Sequence, residues 1–329
     1  MATSKFDTIL SKIKTAKNVA VFMHINPDCD CMGSAIALTL YLRNAGKQAS
    51  FFSPDLKTTD MISDKYSFLP AFKDFNVVYN DDFDLAIAVD TGDAGRIGDI
   101  AYRKFIKIKN NIVIDHHEIH EDYAQVTYRE SDSASTTQIL YKLMKEYDNK
   151  LIDKDIATCL YAGLVTDSGG FTYENCSPET YLIASELLKY GIRHHEICEK
   201  LLKSVKQNVF TLRNKVLSET KFFENGKIGI IVFRKEDFNS TGTTEKDTDN
   251  IINYVREVDT VEIAVSLAEV GEKRYKVSFR TKSYVSAAAC AKVFGGGGHV
   301  RAAGCRVQGY FEDVFNNLVD VAKEALKND

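Results

Sequence analysis

Residues 19–35, VAVFMHINPDCDCMGSA, decide the fold of the first half of the chain. An apolar run ends at His24, two aspartates follow in a short polar segment, and an apolar pattern with helical spacing then extends from Met32 to Asn44. A strand that leads through a polar loop into a helix is the repeating unit of α/β proteins. The segment therefore predicts one strand of a mostly parallel sheet and the helix that follows it.

The same alternation continues through the first half of the chain. Four strands are predicted, at Asn18–His24, Gln48–Phe52, Leu85–Asp90 and Asn111–Asp115. Helical patterns lie at Met32–Asn44, Thr136–Tyr147, Asp153–Val165 and Pro178–Tyr190. This alternation predicts an α/β fold in which helices cover both faces of a mostly parallel sheet. In open sheets of this class, ligands bind beyond the carboxyl ends of the strands.

The character of the sequence changes near Glu219, where short strands replace the strand–helix repeat. The dipeptide Asn225-Gly226 predicts one hairpin turn, and Gly271 marks a second. A short helix and a closing helix are predicted at Ala287–Val293 and Phe311–Leu326. The chain is therefore predicted to consist of a first domain at 1–193, a helical connector at 194–218 and a smaller α+β domain at 219–329.

Charge and composition argue against several classes of protein. The 42 basic and 46 acidic residues give a net charge of −4, so no broad basic groove for long nucleic acid is expected. No apolar run approaches the length of a membrane span, and the N-terminal segment lacks the apolar core of a signal peptide, so a cytoplasmic protein is expected. The seven cysteines follow no regular framework, which favours reduced thiols.

Acidic and histidine side chains gather at the ends of three predicted strands and near the end of one predicted helix. The set comprises His24, Asp28, Asp30, Asp90, Asp115, His116, His117 and Asp167. Some have ordinary explanations when taken singly: Asp28 and Asp30 follow Pro27 as turn residues do, and Asp167 precedes two glycines. Together they form the ligand set of a hard or borderline divalent cation, with manganese or magnesium favoured over a structural zinc. One ion rarely takes so many ligands from a protein, and a pair of ions typically serves phosphate-ester cleavage.

Five motifs follow one another along the chain. They are HINPDCDCMGS (24–34), VDTGD (89–93), IDHHE (114–118), GLVTDSGGF (163–171) and FGGGGHVRAAG (294–304). In these motifs the chain resembles the DHH phosphoesterases that carry a C-terminal DHHA1 domain. Within that family it is similar to the nanoRNase type, which combines oligoribonuclease activity with 3'-phosphoadenosine 5'-phosphate (PAP) phosphatase activity. The resemblance implies an active site in the cleft between the two domains and a homodimer formed through the first domain.

The resemblance also implies a substrate class. Short oligoribonucleotides, pApA above all, and PAP are the expected substrates, whereas long nucleic acids and membranes are not expected partners. A cyclic di-AMP phosphodiesterase is the alternative enzyme, because close relatives hydrolyse that dinucleotide. The alternative from another class is a nucleotide-binding regulator without catalytic activity.

Carried over motif by motif, the resemblance implies two divalent cations, with manganese expected first and magnesium or cobalt as alternatives. The implied metal ligands are His24 and Asp28 for one ion, Asp30 and His116 for the other, and Asp90 and Asp167 to complete the pair. His117 is expected to face the scissile phosphate and stabilise its charge. Asp115 is expected to orient the histidines, as metal-binding imidazoles usually require.

In the second domain, the glycine run and the histidine after it resemble the substrate-binding motif of the family. Glycine lets backbone N–H groups approach an anion closely. The expected phosphate contacts from this run are Gly296, Gly297, Gly298 and His299. Arg280 and Ser283 are expected to grip a phosphate or a terminal nucleotide. In the first domain, Arg96 is expected to contact the substrate or the other domain, with an ordinary salt bridge as the alternative.

Cys29 and Cys31 depart from the family pattern, in which these positions are usually small residues such as glycine or alanine. They alternate with Asp28 and Asp30, so in a loop their side chains are expected to point away from the ligands and to pack as small hydrophobic groups. The alternative is that they attract a softer metal or make the site sensitive to oxidation.

Overall fold

The computed structural model describes residues 5–53, 55, 64–75, 82–118, 121–248 and 250–327. The chain forms two compact units, Met1–Ser204 and Val205–Asp329. The division falls inside segment 194–218, for which the sequence predicts a connector. The part of this segment up to Ser204 belongs to the first unit, and the part from Val205 belongs to the second. Among the described residues, no helix is both long enough and apolar enough to cross a membrane.

The first unit is built on a five-stranded parallel sheet with strand order β2-β1-β3-β4-β5. Its strands are β1 (Asn18–Phe22), β2 (Gln48–Phe52), β3 (Leu85–Val89), β4 (Asn111–Asp115) and β5 (Val126–Arg129). All residues of β3 and β4 are buried, which is why these strands are nearly continuous apolar runs. The predicted parallel α/β fold is confirmed, and all four predicted strands are present. The sequence does not predict β5, because three of its four residues are partly buried, Arg129 is exposed, and they form no apolar run.

The strand order places a switch point between β1 and β3. The chain runs from β1 to β2 on one side, and β3 then pairs with the other side of β1. At such a point the loops leave the sheet in opposite directions, which opens a crevice at the carboxyl ends of the two strands. Because β1 and β3 end at Phe22 and Val89, His24 and Asp90 lie in the loops that begin there and not in the strands as predicted.

The described α-helices of this unit include the four predicted helices and four additional ones. They are α1 (Asp7–Thr15), α2 (Cys29–Asn44), α3 (Ala94–Ile97), α4 (Asp99–Phe105), α5 (Thr136–Asp148), α6 (Lys154–Asp167), α7 (Pro178–Leu188) and α8 (His194–Cys198). Helix α2 begins three residues before its predicted start, because the Asp28 side chain accepts a hydrogen bond from the Cys31 N–H and caps the helix. Gly33 lets α2 lie against α6, since a Cβ added there would be 2.5 Å from the carbonyl oxygen of Cys159.

The second unit is built on a six-stranded mixed sheet with strand order β10-β11-β9-β8-β7-β6. Its strands are β6 (Lys221–Phe223), β7 (Ile228–Phe233), β8 (Ile263–Gly271), β9 (Arg274–Thr281), β10 (Gly297–His299) and β11 (Ala302–Gln308). The described α-helices are α9 (Gln207–Ser218), α10 (Lys235–Thr241), α11 (Ile251–Arg256), α12 (Ala287–Val293) and α13 (Phe311–Ala325). Both predicted hairpins are confirmed as the antiparallel pairs β6–β7 and β8–β9, and both predicted helices are present as α12 and α13.

Part of the glycine run lies in a strand. Its last two glycines, with His299, form strand β10, which pairs with β11. A Cβ added at Gly298 would lie 2.6 Å from the carbonyl oxygen of Ala302, so the close approach of the two strands requires glycine there. Half of the run is therefore an edge strand, and its backbone is partly committed to the sheet.

Candidate metal centre

The acidic and histidine residues predicted in the first unit come together at the carboxyl ends of its strands. Imidazole nitrogens and carboxylate oxygens face one another: His24 Nε2 lies 3.7 Å from Asp90 Oδ2, and His116 Nε2 lies 3.6 Å from Asp90 Oδ1 and 3.3 Å from Asp167 Oδ2. The metal-ligand cluster, as we call it, comprises His24, Asp28, Asp30, Asp90, His116 and Asp167, and His117 lies at its edge. The cluster draws on the loops after β1, β3 and β4, on the first turn of α2 and on the last residue of α6.

Asp90 lies at the centre of this cluster. It is 1% exposed and has a φ of +59°, a left-handed conformation that is uncommon for a residue with a side chain and is often associated with functional sites. Its Oδ1 accepts a hydrogen bond from the Thr136 hydroxyl at 3.0 Å. Burial by itself raises the pKa of Asp90, but the imidazoles of His24, His116 and His117 outweigh it and hold the pKa below its usual range.

Asp30 is fixed by the N-terminus of helix α5. Its Oδ2 accepts from the Thr136 N–H at 2.7 Å, and its Oδ1 accepts from the Thr137 N–H at 3.0 Å and the Thr137 hydroxyl at 2.7 Å. Gly163 makes room for this carboxylate, because a Cβ there would lie 2.6 Å from Asp30 Oδ1. Burial, followed by the negative charges of Asp167 and Asp90, raises the pKa of Asp30 well above its usual range. A cation among these carboxylates would relieve their repulsion.

His116 is oriented by a backbone carbonyl. Its Nδ1 lies 3.2 Å from the Ser133 carbonyl oxygen, which can only accept, so Nδ1 carries the proton and Nε2 faces Asp90 and Asp167. A hydrogen bond to the far ring nitrogen is how metal-binding histidines are usually held. Burial lowers the pKa of His116, but the hydrogen bond with Asp167 and the charges of Asp90 and Asp30 outweigh it and raise the pKa to about 10.

His117 links Asp115 to Arg96. The Nδ1–H of His117 donates to Asp115 Oδ1 at 2.8 Å, and its Nε2 accepts from the Arg96 guanidinium at 2.7 Å, since a guanidinium can only donate. Asp115 also accepts from the His117 backbone N–H at 3.1 Å. The structure thus joins Asp115 to a histidine as the resemblance implies, and it gives Arg96 an imidazole partner that the sequence does not indicate. That His117 faces the scissile phosphate stays a prediction.

Asp28 has two contacts at once. It caps helix α2, as its position after Pro27 allows, and its Oδ2 lies 3.9 Å from His24 Nε2 with 53% of the side chain exposed. It is the most accessible carboxylate of those that face His24, because Asp90 is buried. The structural explanation and the ligand explanation are therefore compatible for Asp28.

The donor set fits divalent cations. Nε2 of His24 is buried, has no hydrogen-bond partner and faces the carboxylates of Asp28 and Asp90, which is a suitable position for a ligand nitrogen. Among the described residues, three groups have ligand atoms that all lie within 4.8 Å of one another: His24–Cys31–Asp90, Asp90–His116–His117 and Asp30–His116–Asp167. Because Asp90 and His116 each belong to two of these groups, the cluster suits adjacent ions better than a single one.

The two cysteines beside the ligands differ from each other. Cys29 is 2% exposed and packs in the apolar core, as expected. Cys31 Sγ accepts from the His24 N–H at 3.4 Å and donates to the Val89 carbonyl at 3.7 Å. The expectation that both thiols point away from the ligands is wrong for Cys31, because residues 29–31 form a helical turn and not a loop.

Sequence reasoning misses the residues that position the ligands. Thr136, Thr137 and Ser133 hold Asp90, Asp30 and His116 through two hydroxyls, two backbone N–H groups and one carbonyl. The only available signal is Ser135, a helix-capping residue type that directly precedes the apolar pattern of α5. It predicts a helix N-terminus there but gives no indication of what that N-terminus binds.

The residues predicted to bind substrate in the second unit lie on β9, on β10, at Gly296 just before β10, and in the loop after β9. Ala302 of β11 pairs with His299 of β10 on one side and with Arg280 of β9 on the other. Directly opposed residues share a face of a sheet, so His299 and Arg280 flank a small residue on one face. Ser283 donates both its hydroxyl and its N–H to Glu262, so its part in gripping a phosphate stays a prediction.

Two family models match the chain. One, described as the DHH family, N-terminal domain, matches residues 18–164, and the other, described as the DHHA1 domain, matches residues 226–328. The first match spans β1 to α6 and therefore includes His24 through His117, and the second includes the glycine run. Both predicted domains are thus matched by family models in the predicted order.

Known proteins resemble the chain over most of its length. The Streptococcus mutans serotype c protein named "Probable bifunctional oligoribonuclease and PAP phosphatase NrnA" is 29% identical over 324 residues, covering 97% of this chain and 99% of that protein. The Thermus thermophilus protein named bifunctional oligoribonuclease and PAP phosphatase NrnA is 27% identical, covering 94% of this chain and 90% of its own length. Among solved structures, an exopolyphosphatase-related protein from Bacteroides fragilis is 26% identical, with a TM-score of 0.88 and coverage of 98% of this chain and 95% of that one.

Proposed function

The chain belongs to the DHH family of metal-dependent phosphoesterases and carries a DHHA1 domain, and on this basis we propose that it hydrolyses short oligoribonucleotides, pApA above all, to mononucleotides and PAP to AMP. The buried metal-ligand cluster supports the proposal most directly, because phosphate-ester cleavage is the typical use of such a donor set. The names of the Streptococcus mutans and Thermus thermophilus relatives support the two substrates. We further propose a cytoplasmic enzyme, since all seven cysteines are free.

The ligand types favour manganese among the divalent cations, because histidines share the cluster with carboxylates. Two such ions would supply a water deprotonated at neutral pH and positive charge against the phosphoryl oxygens. The chain's own part is to fix the ligand directions: the N-terminus of α5 holds Asp30, the Ser133 carbonyl holds His116, and the Thr136 hydroxyl holds Asp90. Such fixed ligands need little reorganisation during the reaction.

Arg96 brings a cationic donor to the edge of the cluster. Its guanidinium is held by His117, which Asp115 holds in turn, so the three residues form one hydrogen-bonded chain. A guanidinium suits contact with phosphate oxygens. We propose that Arg96 and His117 bind the phosphate that is cleaved, and that Arg280 and His299 of the second domain bind the terminal phosphate of the substrate.

The experiment is a comparison of substrates with the purified full-length chain. AMP release from pApA, PAP and cyclic di-AMP is measured with Mn²⁺ and, separately, with excess chelator. We expect rapid Mn²⁺-dependent release from pApA and PAP and slow release from the cyclic dinucleotide, which has no terminal phosphate for Arg280 and His299. Preference for cyclic di-AMP would contradict the proposed substrate class, and turnover of none of the three would contradict the enzymatic function.

Asp90→Ala and Glu118→Gln form a matched pair for the same assay. Both remove a carboxylate from a motif of the first domain, but Asp90 is central to the cluster and Glu118 is exposed next to it. Loss of a group that merely orients a ligand costs roughly 10–100-fold, so loss of Asp90 should cost at least about 100-fold. Glu118→Gln should keep wild-type activity. Full activity in Asp90→Ala would show that the cluster is not the active site.

A further inference from the structure

Glu262 of the second unit is a buried carboxylate whose hydrogen-bonding capacity is used on one short loop. It is 5% exposed and directly precedes β8. Its two oxygens accept the backbone N–H groups of Ser283, Tyr284 and Val285 at 3.0–3.1 Å and the Ser283 hydroxyl at 2.7 Å. Three successive N–H donors on one carboxylate fix the backbone of this loop, which we call the 282–286 loop.

The 282–286 loop and its flanking residues are also hydrogen-bonded to the turn at Val300 and Arg301, which directly follows His299. The Ala287 N–H donates to the Val300 carbonyl at 2.6 Å, and the Thr281 N–H donates to the Arg301 carbonyl at 3.1 Å. The Arg301 guanidinium returns a hydrogen bond to the Val285 carbonyl at 3.0 Å. Loop and turn therefore form one rigid body beside His299.

An aromatic ring is displayed on this rigid body. Tyr284 is 41% exposed although its own N–H is buried against Glu262. Val300, in the adjoining turn, is 53% exposed. Holding a tyrosine ring at the surface by its backbone leaves the face of the ring accessible at little conformational cost, and exposed rings of this kind are the platforms on which nucleobases stack.

Position separates Tyr284 from the other exposed aromatic residues of this unit. The described ones are Phe210, Phe222, Tyr254, Tyr284 and Tyr310. Phe222 is on β6, at the opposite edge of the sheet from β10, and Tyr310 follows the far end of β11 and lies over Lys273. Phe210 and Tyr254 both stack on the guanidinium of Arg213. Tyr284 is the one in the loop hydrogen-bonded to the turn after His299.

We propose that Tyr284 is the nucleobase platform of the substrate site and that Glu262 is the positioning residue that holds it there. The inference rests on the proposed function and extends it: Arg280 and His299 would bind a phosphate, and the ring on the loop joined to the turn after His299 would bind the base of the same nucleotide. Because every base has an aromatic face, this contact adds affinity for nucleotides over sugar phosphates without selecting one base.

The experiment measures binding, not turnover. The full-length chain with Mn²⁺ is titrated calorimetrically with AMP and with ribose 5-phosphate, which carries the same phosphate and sugar but no base. Loss of one stacked base costs about 1–3 kcal/mol, so Tyr284→Ala should weaken AMP binding by about 5- to 150-fold and leave ribose 5-phosphate binding unchanged. Tyr284→Phe keeps the ring and should bind AMP as the wild type does.

Two further variants test position and support. Tyr310→Ala removes a more exposed ring of the same unit and should change neither affinity. Glu262→Gln should weaken AMP binding less than Tyr284→Ala does, and should also speed hydrogen exchange of the Ser283, Tyr284 and Val285 amides. A folded Tyr284→Ala that binds AMP normally, or that loses both ligands equally, would overturn the platform. If pApA is not cleaved but this binding pattern is seen, the proposed function fails while the inference stands.

Discussion

The two units each bury a carboxylate under several hydrogen-bond donors, yet the two carboxylates behave in opposite ways. Asp30 accepts three hydrogen bonds from Thr136 and Thr137, and its pKa is nevertheless raised, by burial first and then by Asp167 and Asp90. Burial also raises the pKa of Glu262, but the donors of Ser283, Tyr284 and Val285 outweigh it and the pKa is lowered. The difference lies in the neighbouring groups. Other carboxylates lie close to Asp30, whereas the groups described in contact with the Glu262 carboxylate are hydrogen-bond donors.

This contrast distinguishes a carboxylate that serves a cation from one that serves the fold. A structural carboxylate such as Glu262 accepts all its hydrogen bonds from the chain, so it stabilises the fold whether or not metal is present. Carboxylates that hold cations remain in mutual repulsion until the cations bind, so the metal-free fold gains little from them. A substitution in the metal-ligand cluster should therefore lower activity more than stability, and a substitution at Glu262 should lower stability more than metal binding.

The largest expected effect is a loss of activity on substitution in the metal-ligand cluster. Asp167→Asn keeps the shape of the side chain and removes one charge from the cluster. Burial and the negative charges of Asp28 and Asp90 raise the pKa of Asp167 to about 6, although the hydrogen bond with His116 opposes them. We expect hydrolysis of pApA to fall by at least about 100-fold. Thermal unfolding in chelator should show an unchanged or higher Tm. A large drop in Tm would mean that Asp167 is structural and would remove the contrast.

Glu262→Gln should show the reverse. An amide offers one acceptor oxygen where the carboxylate offers two, so buried N–H groups of the 282–286 loop lose their partners. We expect the free energy of unfolding of the second unit to fall by about 1–3 kcal/mol, measured by denaturant unfolding in chelator. The Mn²⁺ affinity of the first unit should not change. A variant as stable as the wild type would show that the loop is not held by Glu262.

A smaller effect is expected where a hydroxyl only orients a ligand. Thr136→Val removes the donor to Asp90 Oδ1 while keeping the backbone N–H that binds Asp30. Mn²⁺ affinity should fall by about ten-fold, the lower end for groups that orient metal ligands. Thr39→Val is the matched control, because the Thr39 hydroxyl is buried in the same unit without a hydrogen-bond partner. Equal affinities in the two variants would contradict a positioning role for Thr136.

The smallest effect is a dependence on pH. Because the pKa of folded Glu262 lies below its unfolded value, its stabilising contribution is present above the unfolded pKa and is lost as the pH falls below it. As the pH falls from 6 through the unfolded pKa and on through the lower folded pKa, the second unit of the wild type should therefore lose more stability than that of Glu262→Gln. Parallel stability curves for the two proteins would show that the Glu262 carboxylate is not specifically stabilised in the folded state.

The sequence predicts the residues of the metal-ligand cluster better than the contacts of the 282–286 loop, and the reason is physical. An acid or histidine placed directly after a buried strand stands out, so His24, Asp90, Asp115 and His116 are all identified without a structure. Their positions follow from the rule that strand ends of a parallel sheet share one edge. The start of α2 is harder, because aspartate and cysteine favour helices only weakly, and the error of three residues reverses the expected direction of Cys31.

The residues that orient the ligands or hold the 282–286 loop cannot be predicted in the same way. Thr136 contributes through its place at a helix N-terminus, 106 residues from Asp30, and no local pattern connects the two. Glu262 likewise lies 21 residues before Ser283 and resembles an ordinary surface acid in the sequence. Long-range backbone donors become visible only when the fold brings them together, which is why the sequence does not indicate that Ser283 donates to Glu262.

The central claim, that the metal-ligand cluster holds two adjacent cations, is tested most directly by counting manganese ions. Full-length protein freed of metal is titrated with Mn²⁺ and followed by electron paramagnetic resonance, which detects both the number of bound ions and the coupling between neighbouring ones. The account predicts two bound ions per chain with a coupled signal, and loss of the coupled signal in Asp90→Ala. A single uncoupled ion in the wild type, or an unchanged coupled signal in Asp90→Ala, would contradict it.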